Sequence, residues 1–216
     1  MILGYTLSSL HETDNGLQAR LDLAGPACNA FGHDIANLTL EVTYDTQSRC
    51  VLNAPNVPVR SDHPFRLHVN IYDNARTQFT IPSSVINLGE GSHDTSLKQN
   101  SDFVFNYEIS PFSFWITRRS DTDAFPLFDT RPSSLPKAPI PPIIPKDKRT
   151  ALDGFPLVFE DRYLQLTSAL PLDTNIYGLG EVVASSGFRR DVGTNGEGTI
   201  QTMWARDIMD PVDENL

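Results

Sequence analysis

The stretch LTLEVTY, Leu38 to Tyr44, decides the fold: Leu38, Leu40, Val42 and Tyr44 share one side, and Thr39, Glu41 and Thr43 the other. That period of two is the mark of a half-covered β-strand. Upstream, Leu17, Ala19, Leu21 and Leu23 alternate with Gln18, Arg20 and Asp22; downstream, Leu67, Val69 and Ile71 alternate through RLHVNIY. Phe103, Phe105, Tyr107 and Ile109 do the same in FVFNYEI, Pro111 interrupts, and Phe112, Phe114 and Ile116 resume the pattern in FSFWIT. Aromatic and β-branched residues suit such a pleated surface. The runs PLVFED and YLQLTSAL bring the set to at least seven short strands, and no stretch of twelve residues shows a helical period. The class implied is all-β, an antiparallel β-sandwich with long loops.

Two segments break the rhythm. PSSLPKAPIPPIIPKDKR, from Pro132 to Arg149, carries six prolines that cannot donate to a sheet ladder, so the 131–150 region is expected to be an extended loop. FPLFDT before it and FPLVFED after it both look like strands, which favours a long insertion within a single domain spanning 1–216 over a linker between two. Residues 48–64, SRCVLNAPNVPVRSDHP, contain Cys50 and three prolines with no period, and are expected to be an irregular insertion. The last segment, 178–216, mixes glycines, aromatics and both signs of charge, as suits a functional loop carried on a scaffold.

Composition narrows the chemistry. In 216 residues, 27 Asp plus Glu against 17 Lys plus Arg leave a formal charge of -10, which disfavours nucleic acid as a partner. No apolar run is long enough for a membrane-spanning helix, and the N-terminus shows no basic-then-apolar export signal. Cys28 and Cys50 form no CxxC pattern, and a bridge between them stays open. His11, His33, His63, His68 and His93 have neither HxH nor HExxH spacing, so no metal is expected, and Gly178-Leu179-Gly180-Glu181 lacks the third glycine of a dinucleotide fingerprint, so no cofactor is expected either. There is no GxSxG, and Ser185-Ser186-Gly187 reads as a turn. Asn37-Leu38-Thr39 is an acceptor sequence for N-glycosylation. In Met203-Trp204-Ala205-Arg206-Asp207, an aromatic plate lies beside a guanidinium and a carboxylate, equipment for stacking on a sugar and binding its hydroxyls. A packed Trp beside a surface ion pair would give the same sequence.

IYGLGE, TMWARD some twenty-five residues later, PLVFEDRYLQL, and the earlier LAGPACNAFGHDIANLTLEV together resemble the N-terminal region of fungal α-glucosidases of glycoside hydrolase family 31. The likeness covers roughly residues 17–47 and 65–216. It implies a β-sandwich of the galactose-mutarotase-like type, standing before a catalytic (β/α)8 barrel that carries an aspartate nucleophile in a WxDMNE-like motif and a later acid/base. Trp204 to Asp210 only superficially matches that motif, so Asp207 is not assigned as a nucleophile. The resemblance instead implies Asp207 and Arg206 as contacts to a bound glucose unit, with Trp204 supporting their loop from behind. A barrel needs about 200 residues of its own, so the chain is expected to stop before it, as a fragment or incomplete gene product. The implied partners are an α-glucoside sugar and the barrel of the same enzyme. Isolated, the chain is expected to be inactive, and the intact enzyme secreted or held at the cell surface. Family members usually carry a cysteine partner for Cys28 upstream of where this chain starts. Two other functions compete: a free-standing carbohydrate-binding module, and a mutarotase-type enzyme for which His68 is the best-placed strand histidine.

Overall fold

Two strands open the chain, β1 (Tyr5–Thr13) and β2 (Gly16–Leu23), followed by β3 (Asn37–Thr46) and β4 (Phe65–Asp73). They form one antiparallel sheet in the order β1-β2-β3-β4. The computed structural model describes residues 4–27, 29–46, 65–75, 84–85, 96–135, 156–171, 174–177, 182–183, 189–190 and 212–213. The expected insertion at 48–64, both cysteines, His63, His93 and most of the proline-rich loop lie outside them.

The alternation sorts this sheet's faces as the sequence requires. Leu21, Leu38, Leu40 and Val42 are fully buried, with Leu17, Ala19 and Tyr44 close to it. Each such aliphatic side chain contributes about 2 kcal/mol by leaving water. On the other face Gln18, Arg20, His68 and Asn70 are exposed, and Tyr72 interrupts the polar pattern by being buried there. Gly16 sits where β2 crosses β3 most closely: a Cβ built on it would lie 1.8 Å from the Val42 carbonyl oxygen.

A five-residue helix, α1 (Ser96–Asn100), plugs Leu97 into the core. Next come β5 (Phe103–Ile109), β6 (Phe112–Arg118) and β7 (Phe128–Asp129), antiparallel in that order. Pro111, which interrupts the alternation, makes the turn of the β5–β6 hairpin, with a cis peptide bond after Ser110. Phe105, Phe114 and Phe128 stack across the three strands at centroid separations of 5.4 Å for each neighbouring pair. Phe112 and Phe114 enter the same core as the buried face of the first sheet, and the Tyr44 hydroxyl accepts from the Phe105 N–H at 3.3 Å. The two sheets therefore face each other as an open sandwich, and the chain is all-β apart from short helical turns.

The expectation of an extended 131–150 loop is modified at its start. Pro132–Ser134 makes one 3-10 turn, with proline at the helix start where its missing N–H costs nothing. PLVFED and YLQLTSAL contribute only β8 (Val158–Phe159) and β9 (Leu164–Gln165), which pair with each other. Contacts divide the chain into two units, Met1–Ala169 and Leu170–Leu216. In the second, β10 (Ile176–Tyr177) pairs with β12 (Arg189–Arg190), and β11 (Val182–Val183) pairs in parallel with β13 (Val212–Asp213).

Candidate functional site

Trp204, Arg206 and Asp207 lie outside the described residues, but the chain at either end of their segment is described. It leaves after Val183 and returns to pair Val182 with Val212 and Val183 with Asp213. In sequence, the segment carrying the sugar-contact candidates Arg206 and Asp207 and the supporting Trp204 runs between these two paired strands. A second ladder pairs Ile176 with Arg190 and Tyr177 with Arg189, on either side in sequence of the GLGE stretch.

In the first unit two of the buried carboxylates, Asp129 and Glu160, are structural clasps. Asp129 is 1% exposed; Arg131 reaches its two oxygens through Nε and Nη2, the Arg131 N–H binds Oδ1 at 2.9 Å, and the Ser134 hydroxyl binds Oδ2 at 2.8 Å. The same guanidinium stacks 4.3 Å over the Trp115 ring. Burial by itself would raise the Asp129 pKa, but these donors outweigh it and hold the carboxyl below the usual range. Glu160, fully buried, accepts from the N–H groups of Ala30 and Phe31 at 2.9 and 2.8 Å, so the β2–β3 connection is pinned to β8. The Tyr5 hydroxyl lies 2.7 Å from the Ile35 carbonyl and 3.1 Å from that of Phe159, joining the same two pieces of chain. At the surface, the Ser120 N–H, Arg118 and the Ser120 hydroxyl together hold Asp102 at a pKa of about 2.

A general acid for glycoside cleavage needs its pKa raised towards neutrality. Asp129 and Asp102 are shifted the opposite way, and both oxygens of Glu160 are bound to backbone donors. These groups fasten the sandwich. His68 is exposed in β4, and His33, also exposed, meets Asp161 at 3.2 Å. Among the described residues no cluster of three or more His, Cys, Asp or Glu is arranged to hold a metal.

A cavity of about 400 Å³ opens between the sheets where Leu67, Val69 and Ile71 face Phe114, Ile116 and Phe128. Leu157, Leu164 and Leu166 complete an almost wholly apolar wall. A sugar, whose hydroxyls each require a hydrogen-bonding partner, would lose hydration there without recompense. Leu164 and Leu166 are half exposed on its wall, so the cavity opens to solvent, and Asn70 is the polar side chain on its lining.

Sequence alternation misses the Asp129 and Glu160 clasps, since a buried acid in a strand looks like any outward-facing one. The Arg131 and Ser134 spacing after Asp129 is a local signal that could have marked the first; nothing local marks the second, whose partners lie about 130 residues away.

No protein-family model matches the chain. It is 37% identical over 99% of its length to an α-glucosidase of Candida tsukubaensis, of which it spans 19%. It is 32% identical over 99% of its length to an α-glucosidase of Schizosaccharomyces pombe and 30% identical over 99% to an uncharacterized family 31 glucosidase of the same yeast, spanning 17% of each. The chain therefore spans less than a fifth of the length of the curated relatives it matches. From end to end, it is homologous to one region of much larger fungal α-glucosidases, a family 31 glucosidase among them.

Proposed function

We propose that this chain is the N-terminal β-sandwich of a retaining α-glucosidase that removes terminal α-linked glucose from maltose-type substrates. The observation that carries this reading is the match of nearly the whole chain to under a fifth of each fungal α-glucosidase. The sandwich is the scaffold, and the segment between β11 and β13 is the substrate-side loop. Asp207 accepts hydrogen bonds from the hydroxyls of the bound glucose unit, Arg206 assists, and Trp204 braces the loop. The nucleophile and the acid/base, two carboxyls about 5 to 5.5 Å apart across the scissile bond, belong to a catalytic barrel outside this chain. The contribution of Asp207 is positional: it fixes the ring orientation in which those carboxyls act. The intact enzyme works outside the cell or at its surface.

Two experiments test the reading. In the full-length enzyme, Asp207→Ala should raise KM for maltose or lower kcat by about tenfold or more, the loss of a charged hydrogen bond of about 1.5 to 3 kcal/mol, with an unchanged thermal midpoint. Unaltered kinetics would remove Asp207 from the site. The isolated chain should not hydrolyse maltose or a chromogenic α-glucoside, and calorimetric titration with glucose or maltose should show no saturable binding. Saturable binding without turnover would instead establish a free-standing carbohydrate-binding module.

A further inference from the structure

We propose that Asn37 carries an N-linked glycan, borne at the end of the first sheet on its polar outer face. This goes beyond the sugar-cleaving role; it rests on the extracellular location proposed above and on separate observations of the first sheet. Asn37-Leu38-Thr39 is the only Asn-X-Ser/Thr acceptor in the sequence. Its placement in the fold meets three physical requirements of a modified asparagine.

The first requirement is direction. Leu38 and Leu40 are fully buried, so Asn37 and Thr39, one pleat out of phase, point to the opposite face. The second is room. Asn37 is the first residue of β3; on one side it pairs with Asp22, and on the other β4 has already ended, since Leu38 is the last β3 residue with a partner there, Asp73. Asn74, just past the end of β4, is exposed, as are the side chains of Arg20 and Asp22, 55% and 36% accessible. A branched sugar attached at this corner leaves between the polar neighbours Arg20, Asp22 and Asn74, with the buried Tyr72 opposite Thr39 on the same face.

The third requirement is that attachment leave the sheet's own bonds intact. Arg20 Nη2 donates to the Asn37 side-chain oxygen, and because a guanidinium only donates, this contact identifies that atom as Oδ1. Glycosylation takes place at Nδ2 and replaces one of its two hydrogens, so the Arg20 bond survives. The Thr39 hydroxyl, which the modifying enzyme requires while the chain is still extended, ends in the folded protein as a donor to Asn74 Oδ1 at 2.7 Å. Nothing in the folded sheet therefore opposes a glycan added before folding. A glycan here would also keep this corner of the outer face uncovered in the larger protein.

The experiment is translation of the full chain, behind a cleavable secretory leader, in the presence of microsomes, with protease protection identifying the imported molecules. Imported chain should show a single upward mobility step that endoglycosidase H removes. The step should vanish in Asn37→Gln and in Thr39→Ala and persist in Thr39→Ser. Secreted from yeast, the glycosylated chain should yield the same protease-resistant core as the enzymatically deglycosylated one. Imported chain without a step, a step that survives Asn37→Gln, or a glycosylated chain lacking the core that its deglycosylated form keeps would each overturn the proposal. None of these outcomes depends on glucosidase activity, so the failure of one proposal does not decide the other.

Discussion

Asp129 shows how one side chain fastens loop to sheet. It lies in β7, and its carboxylate collects the Arg131 guanidinium, the Arg131 N–H and the Ser134 hydroxyl, so the chain entering the proline-rich segment is anchored to the second sheet. At the same residue, the Asp129 N–H donates to the Ser168 hydroxyl and its carbonyl accepts from the Ala169 N–H, which brings residues 168–169 to the same point. Asp129→Asn keeps the shape and removes the charge, and should cost about 1.5 to 3 kcal/mol at neutral pH, the range for hydrogen bonds to a charged group. The sign of the pH dependence follows from the lowered pKa. A carboxyl whose folded pKa lies below its unfolded value, about 3.9, stabilises the fold fully above that value and loses this contribution as pH falls through the folded pKa. Urea midpoints of the two proteins should thus differ most at neutral pH and converge as pH falls through the lowered folded pKa of Asp129. A gap independent of pH would mean that ionisation of the Asp129 carboxyl is not what stabilises the fold.

At the scale of elements, β2, β3, β4, β5 and β6 are legible in the sequence because apolar residues recur at every second position. Burial follows that alternation in β2 and β3, whereas β5 ends exposed at Tyr107 and Ile109 and β6 buries Ser113 between Phe112 and Phe114. The turn at Pro111 is legible because a proline cannot continue either ladder. β1 is not. After Leu7 its residues are exposed or nearly so, and its register with β2 shifts between Leu7 and Ser9, so the period of two is lost halfway along. α1 is too short to show a helical period, and β7, β8 and β9 are two residues each, held by tertiary contacts rather than by pattern. The sugar-contact candidates could be named from resemblance alone, since a loop has no period to place it. The closest strand contact also belongs to this scale. With Val42 O only 1.8 Å from where a Cβ would stand, Gly16→Ala must push β2 away from β3, and we expect a loss of about 2 to 3 kcal/mol, the range for overpacking a closed interior. Because Val42 and its neighbours are core, the variant's amide protection should fall first along β2 and β3. A urea midpoint within error of the parent would show that the two strands separate there at no cost.

For the whole molecule, the described core lies in one of the two units. Every buried hydrophobic residue among the described ones, from Tyr5 to Ala169, belongs to the first unit. The ties that close the first unit at its C-terminal end, from Ser168 and Ala169 to Asp129, lie inside it. A chain ending at Ala169 should therefore keep the β-type far-UV spectrum and a single cooperative thermal transition, with a midpoint close to that of the full chain. In a full-length glucosidase, by contrast, deleting 178–216 should abolish activity on maltose, because that segment carries Asp207 and Arg206. If the shortened chain loses its cooperative transition, the second unit supplies part of the core, and the division of labour between a self-sufficient sandwich and a substrate-side loop fails.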